Sequence, residues 1–208
     1  MHIEIQVEEP SAEAALKHLV PKIVGDRATF RIINYGSKSQ LLKRLPDRLK
    51  AYGARIRGGE DLKLLVLVDR DADDCRTLKD RLERMAADAG LKTRSAPDHD
   101  GTFAVVNRLA IEELEAWFIG DGDAVRAAFP GVRPFEARAP FRDPDQVRGG
   151  TWEALHRLLK GYGHYRSDYP KIEAARRIAP HMSVTGNRSA SFRAFRSGFE
   201  ALLGQSPG

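Results

Sequence analysis

The sequence predicts an α/β fold, a mostly parallel sheet flanked by helices and continued by a helical C-terminal extension. Two observations predict it. Leu64-Leu65-Val66-Leu67-Val68 is an apolar run of strand length without polar alternation, as expected of a strand covered on both faces. Strand-like and helix-like patterns then alternate through the first half of the chain, which calls for parallel strands joined by helical crossovers.

The elements follow in order. Ile3 to Val7 alternates apolar and polar residues as a strand does, and Ser11 is placed to cap a helix carrying Ala15, Leu16, Leu19 and Ile23. Thr29 to Ile33 is a short β-branched strand, followed by the turn Asn34-Tyr35-Gly36-Ser37. A helix from about Lys38 to Tyr52 has the stripe Leu41, Leu42, Leu45 and Leu49, with Pro46 expected to kink or break it. The central strand spans Leu62 to Val68, and a helix from Asp74 to Ala89 stops at Gly90. Lys92–Ser95 and Phe103–Val106 read as weaker strands around the polar loop Pro97–Gly101. Ile111 to Ile119 reads as a helix with Ile111, Leu114 and Phe118 on one face. Phe129 to Gly150, rich in Pro, Arg and Asp, reads as a long surface loop. Helices near Trp152–Leu159, Ile172–Ile178 and Phe192–Leu203 complete a single domain over 1–208, with a core over about 1–125 and an extension over about 126–208.

Composition narrows the class. The 208 residues are 42% hydrophobic and 30% charged, ordinary values for a globular chain with a proper core. Cys75 is the single cysteine, so no internal disulfide forms, and the cytoplasm is the expected compartment. No signal peptide and no membrane span are legible. The net charge of +5 is modest but unevenly placed: Lys43, Arg44, Arg48, Lys50, Arg55, Arg57 and Lys63 form one group, and Arg188, Arg193 and Arg196 another. Basic groups around an acidic centre suit a polyanion, although basic runs are usually solvated helix faces. Lys38, Lys43, Arg44 and Arg193 are the candidate nucleic-acid contacts.

Three acidic clusters carry the chemistry. Glu8 and Glu9 follow the first strand, Asp69, Asp71 and Asp73 follow the central strand, and Glu112, Glu113 and Glu115 open the later helix. Carboxylates gathered at the C-terminal ends of strands repel one another at neutral pH, and a hard divalent cation relieves that repulsion. A strand-end Glu and a strand-end Asp-x-Asp converging on one spot supply the oxygen ligands Mg²⁺ prefers, with Mn²⁺ the alternative ion. The histidines show no zinc spacing. Gly36-Ser37-Lys38 lacks the full pattern of a nucleotide-binding loop. Trp117, Trp152, Phe192 and Phe195 read as core residues, with Phe192, Phe195 and Phe199 on a buried helix face.

These residues resemble a known family. Val7-Glu8-Glu9-Pro10-Ser11-Ala12-Glu13 resembles the V-E-G-x-x-[DE] opening of Toprim domains, and Val68-Asp69-Arg70-Asp71 resembles their Asp-x-Asp strand end. Glu113-Leu114-Glu115-Ala116-Trp117-Phe118-Ile119-Gly120-Asp121 is similar to the E-x-E-A-W-x-x-x-D segment of a bacterial family of uncharacterised Toprim-like proteins. Those proteins resemble the nuclease domain of overcoming-lysogenization-defect (OLD) nucleases. Tyr169-Pro170-Lys171 and Ser191-Phe192-Arg193-Ala194-Phe195 also fit, so the resemblance spans almost the whole chain.

The resemblance implies a Toprim-like fold, a Mg²⁺ site and phosphodiester cleavage, in phage defence beside a partner ATPase, and Toprim-like relatives often dimerise. It makes Glu8 the general base or a metal ligand, Asp69 and Asp71 the metal-binding pair and Glu115 a further ligand. Lys171 would neutralise phosphate charge, and Glu13, Asp73 and Glu113 form a second tier. Two positions depart from the pattern. Glu9 stands where the family has Gly, in a turn where backbone often approaches substrate. Ala12 occupies the next acidic slot, with Glu13 beside it. A non-catalytic module binding a partner ATPase or nucleic acid is the alternative. A haloacid-dehalogenase-like phosphotransferase ranks last, because it expects Thr or Val where Asp73 stands.

Overall fold

The computed structural model describes residues 1–204; the last four residues of the extension lie outside the described residues. Four strands, β1 (His2–Val7), β2 (Thr29–Asn34), β3 (Leu62–Asp69) and β4 (Val105–Ala110), form one sheet in the order β2-β1-β3-β4. Every pairing is parallel. The crossovers are α1 (Pro10–Val24), α2 (Lys38–Arg57) and α3 (Cys75–Asp88). The chain continues through α4 (Glu115–Ile119), α5 (Gly122–Ala128), α6 (Thr151–Gly161), α7 (Lys171–Ile178) and α8 (Ala190–Leu203). The α/β class and the helix-flanked parallel sheet read from the sequence are therefore what the chain adopts.

Two cores cover the sheet. On one face Ile3, Ile5, Val7, Leu65, Leu67 and Val106 pack with α1 and the helices that follow β4, α8 included. On the other, Leu64, Val66 and Val68 pack under Leu41, Leu45 and Leu49 of α2 and Leu78 and Leu82 of α3. The polar side of β1 is buried as well: Tyr35 Oη donates to Gln6 Oε1 at 2.7 Å, and Arg55 lies 3.7 Å from Glu4. The first core runs unbroken into the C-terminal helices, where Trp117 meets Phe192 and Phe195 at centroid distances of 5.2 and 4.7 Å. That face of α8 is buried as its aromatic spacing predicts.

Several local expectations give way. Glu9, not Ser11, is the N-cap of α1, because Pro10 takes the first helical position, where its missing N–H costs nothing. Pro46 does not end α2. An interior Pro costs about 3 kcal/mol, whereas burying Leu41, Leu45, Leu49 and Tyr52 gains about 1.5–3 kcal/mol each, so packing carries the helix through. Lys92–Ser95 is no strand: Thr93 bridges Val105 and Ala96 at single points before the chain turns. The helix expected from Ile111 begins only at Glu115. Backbone carbonyls of Ala110 and Glu112 instead accept from Arg70 and Asp71, extending the β3–β4 ladder past the strand ends. Residues 129–150 lack regular helix or strand apart from two short 3₁₀ turns, yet Phe129, Val132, Phe135, Phe141 and Val147 are buried, so the segment is part of the core.

Candidate metal centre

Strand order determines where a site can form. From β1 the chain crosses through α1 to β2 on one side, and from β3 it crosses through α3 to β4 on the other. The ends of β1 and β3 therefore bound the crevice where the winding reverses, the usual ligand position in such sheets. Glu8 and Glu9 leave the end of β1, and Asp69 is the last residue of β3. One carboxylate oxygen from each of these three lies within 4.8 Å of the others. Glu8 Oε1 accepts from the Asp69 backbone N–H at 2.9 Å, tying the two strand ends together.

The electrostatics are those of like charges brought together out of water. Burial, then repulsion from Glu8 and Glu115, pushes the Asp69 carboxyl well above its ordinary range. Burial pushes Glu8 up to about 7 against the opposing pull of the Asp69 N–H and Lys38. Glu115 is also raised by burial to about 7, although Lys171 opposes it. Glu8 Oε2 and Glu115 Oε1 are buried without hydrogen-bond partners. Glu4, Glu83 and Glu153 also keep an unpartnered buried oxygen, so what sets this spot apart is the convergence of the Glu8, Glu9 and Asp69 carboxylates. This donor set, all oxygen and mostly anionic, fits a hard divalent cation.

Two lysines flank the centre. Lys38, at the start of α2, contacts Asp71 at 2.6 Å, Asp73 at 2.9 Å and the Arg70 carbonyl at 3.1 Å. Burial lowers its affinity for a proton, but Asp71 and Asp73 outweigh that and raise it. Asp71 has φ 50°, a left-handed conformation that Asp tolerates better than most residues. Lys171, at the start of α7, bonds Glu113 at 3.1 Å and lies 5.9 Å from the Trp152 ring centroid. Burial would lower it, and Glu115 and Glu113 raise it on balance. The Tyr169 hydroxyl is buried and unpartnered, and burial with the nearby Glu115 charge keeps it protonated.

Of the residues read from the sequence, Glu8 and Asp69 stand together, Glu115 faces them, and Lys171 reaches the site through Glu113 and Glu115. Asp71 and Asp73 are about half exposed and engaged by Lys38. Glu13 is held by Lys17 at 2.7 Å and by Asn34 at 3.1 Å, outside the cluster of strand-end carboxylates. Lys43 and Arg44 are exposed on α2, with Arg44 5.7 Å from the Tyr35 ring centroid. Arg193 donates to the carbonyls of Asn187 and Arg188, fastening its own turn. Glu9 was read as a departure and is instead the third carboxylate of the cluster. Its extended backbone, φ −119°, needs no glycine. The signal for it was the Glu-Glu pair closing an amphipathic strand. Tyr169 was legible only as part of a motif.

No curated protein and no solved structure matches the chain in the comparisons made. A family model described as a domain of unknown function (DUF4276) matches residues 7–200, nearly the full length, and the chain belongs to that family.

Proposed function

We propose that this protein is a metal-dependent nuclease that hydrolyses nucleic-acid phosphodiester bonds in the manner its resemblance to Toprim domains and OLD nucleases implies. The observation that carries this reading is the convergence of Glu8, Glu9 and Asp69 at the switch point, with buried oxygens of Glu8 and Glu115 left unpartnered. Glu8, Glu9 and Asp69 would hold Mg²⁺ or Mn²⁺, with Glu115 behind them and Asp71 reached by release from Lys38. When bound, the ion supplies Lewis acidity at a phosphoryl oxygen and makes a bound water more acidic. Glu8, fixed through Oε1, presents Oε2 as ligand or as acceptor of the attacking water's proton. Lys171 offsets phosphate charge from one side and Lys38 from the other. Phage defence beside a partner ATPase, and assembly as a homodimer, extend the proposal on the strength of the resemblance alone.

The test is cleavage of supercoiled plasmid, linear duplex, single strands and bulk tRNA with Mg²⁺, Mn²⁺ or EDTA. Wild type runs beside Asp69→Ala and Glu8→Ala. Metal-dependent cutting, lost in both variants while folding persists, is the expected result, with DNA favoured over RNA. No cutting, with or without a co-purifying ATPase, would replace this reading with that of a non-catalytic binding module.

A further inference from the structure

A cleft of about 760 Å³ opens beside the acidic centre, between α2 and α3. Its near end is Lys38, the residue that clasps Asp71 and Asp73. Its walls come from facing rows of the two helices, Leu42 and Lys43 on α2 and Thr77, Leu78 and Arg81 on α3. Leu78 is buried and Leu42 half-buried, so they form an apolar floor, while Lys43 and Arg81 are exposed on the rims.

Charge accounting decides what such a cleft can take. Its acidic members are already engaged: Asp73 by Lys38 at 2.9 Å, and Asp74 as the N-cap of α3, accepting from Thr77 N and Oγ1 at 2.9 Å each. Among the described residues neither Lys43 nor Arg81 has an ion-pair or side-chain hydrogen-bond partner. The unspent charge in the cleft is therefore positive, above a floor suited to a flat or apolar group. That combination fits a nucleotide, with its phosphate between two cations and its base or sugar against leucine.

We infer that the α2–α3 cleft binds the nucleotide next to the scissile phosphate, with Lys43 and Arg81 gripping the flanking phosphate and Leu42 and Leu78 contacting the base or sugar. This deepens the nuclease reading and rests on it. Lys38 lines the cleft and also pairs with Asp71 and feels the Glu8 charge, so it is the residue the cleft and the centre share. The inference assigns roles to Arg81, Leu42 and Leu78 that no acidic or basic motif in the sequence marks.

The test uses the full chain and a fluorescein-labelled single-stranded oligonucleotide, read by anisotropy across a salt series. Cleavage of the same strand is measured in parallel with Mg²⁺. The variant is Lys43→Glu with Arg81→Glu. The control is Arg157→Glu with Lys160→Glu, two exposed cations of α6 outside the cleft that give the same change in net charge. Loss of the grip on that one phosphate is expected to weaken binding by at least about tenfold and to reduce the log–log salt slope by about 0.7. The control should stay close to wild type. If wild type cuts and the cleft variant binds and cuts like the control, the cleft assignment is overturned and the nuclease reading stands. If wild type neither binds nor cuts any nucleic acid, the nuclease reading fails and the cleft assignment falls with it.

Discussion

The acidic centre has two flanks that use the same parts under opposite conditions. Toward α2, Lys38 bridges Asp71 and Asp73, whose side chains are 49% and 52% exposed. Toward α7, Lys171 pairs with Glu113, only 14% exposed, beside the buried Glu115 and under Trp152. Lys38 is itself only 18% exposed against 29% for Lys171, so the difference lies in the carboxylates: Asp71 and Asp73 stay hydrated, and hydration competes with their pairs. A lysine paired with a buried carboxylate cannot be parted from it cheaply, because what remains is an uncompensated buried charge. The open flank is thus free to exchange partners when a ligand arrives, and the closed flank holds the centre's shape.

The sharpest way to test that division is to remove the residue between the flanks. Asp69→Asn is expected to lower cleavage by at least about 10³-fold, since metal stabilisation of the transition state is worth several kcal/mol. The same change removes a buried like charge, so the metal-free protein should melt no lower than wild type. Calorimetric titration with Mn²⁺ and a thermal melt read both effects, and retained metal binding would remove Asp69 from the ligand set. Mg²⁺ or Mn²⁺ should raise the wild-type melting temperature, by an amount equivalent to about 2.7 kcal/mol at a hundredfold excess over Kd, and leave Asp69→Asn unmoved.

Next come the lysines themselves. Lys171→Met leaves Glu113 and Glu115 without their counter-charge and should cost about 3–5 kcal/mol in urea unfolding. Lys38→Met should cost under about 1 kcal/mol, because its partners remain in water. Equal costs would erase the contrast between the flanks.

Protons offer a gentler probe. Glu8 and Glu115 titrate near 7 when folded and near 4.5 when not, so the folded state binds protons more tightly between those values. Each contribution is fully present below about pH 4.5 and is lost as pH rises through about 7, roughly 3 kcal/mol for a single such shift. Metal-free stability measured across that window should therefore fall with pH, and a flat profile would show that the carboxylates are already neutralised. The smallest effect is expected at Tyr169. Replacing it with Phe removes an unpartnered buried hydroxyl and should change stability by less than about 1 kcal/mol, while any loss of Mn²⁺ affinity would give the hydroxyl a place beside the ion.

How much of this was legible in the residues varied with how local the cause was. The β3 run and the Asp69 that ends it were readable, because a strand covered on both faces needs an unbroken apolar string. Glu8 was readable as the carboxylate that follows the alternating strand Ile3 to Val7. The switch point between β1 and β3 was not readable, since strand order depends on which crossover passes over which face. Nor was the late start of α4, because competition from the Arg70 and Asp71 N–H groups comes from a segment some forty positions earlier. The burial of residues 129–150 was hidden by their Pro, Arg and Asp content, which masked phenylalanines that the C-terminal helices needed to complete the core. The partners of Lys38 and Lys171 were equally out of reach, being contacts between distant helices and loops.

The parallel register of β1 and β3 has one more consequence. Val7 sits opposite Leu67, so the carboxylates that follow β1 come out one or two rungs on, beside Asp69, and Glu8 accepts from the Asp69 N–H although 61 positions separate them. Their spacing is kept by counting rungs, not by the shape of any loop. Insertions in the connections outside the strands can accumulate without moving either carboxylate. Dropping a single residue inside β1 would turn Glu8 to the opposite face and bring Glu9 to its place. For such a centre, length within the strands matters as much as identity at their ends.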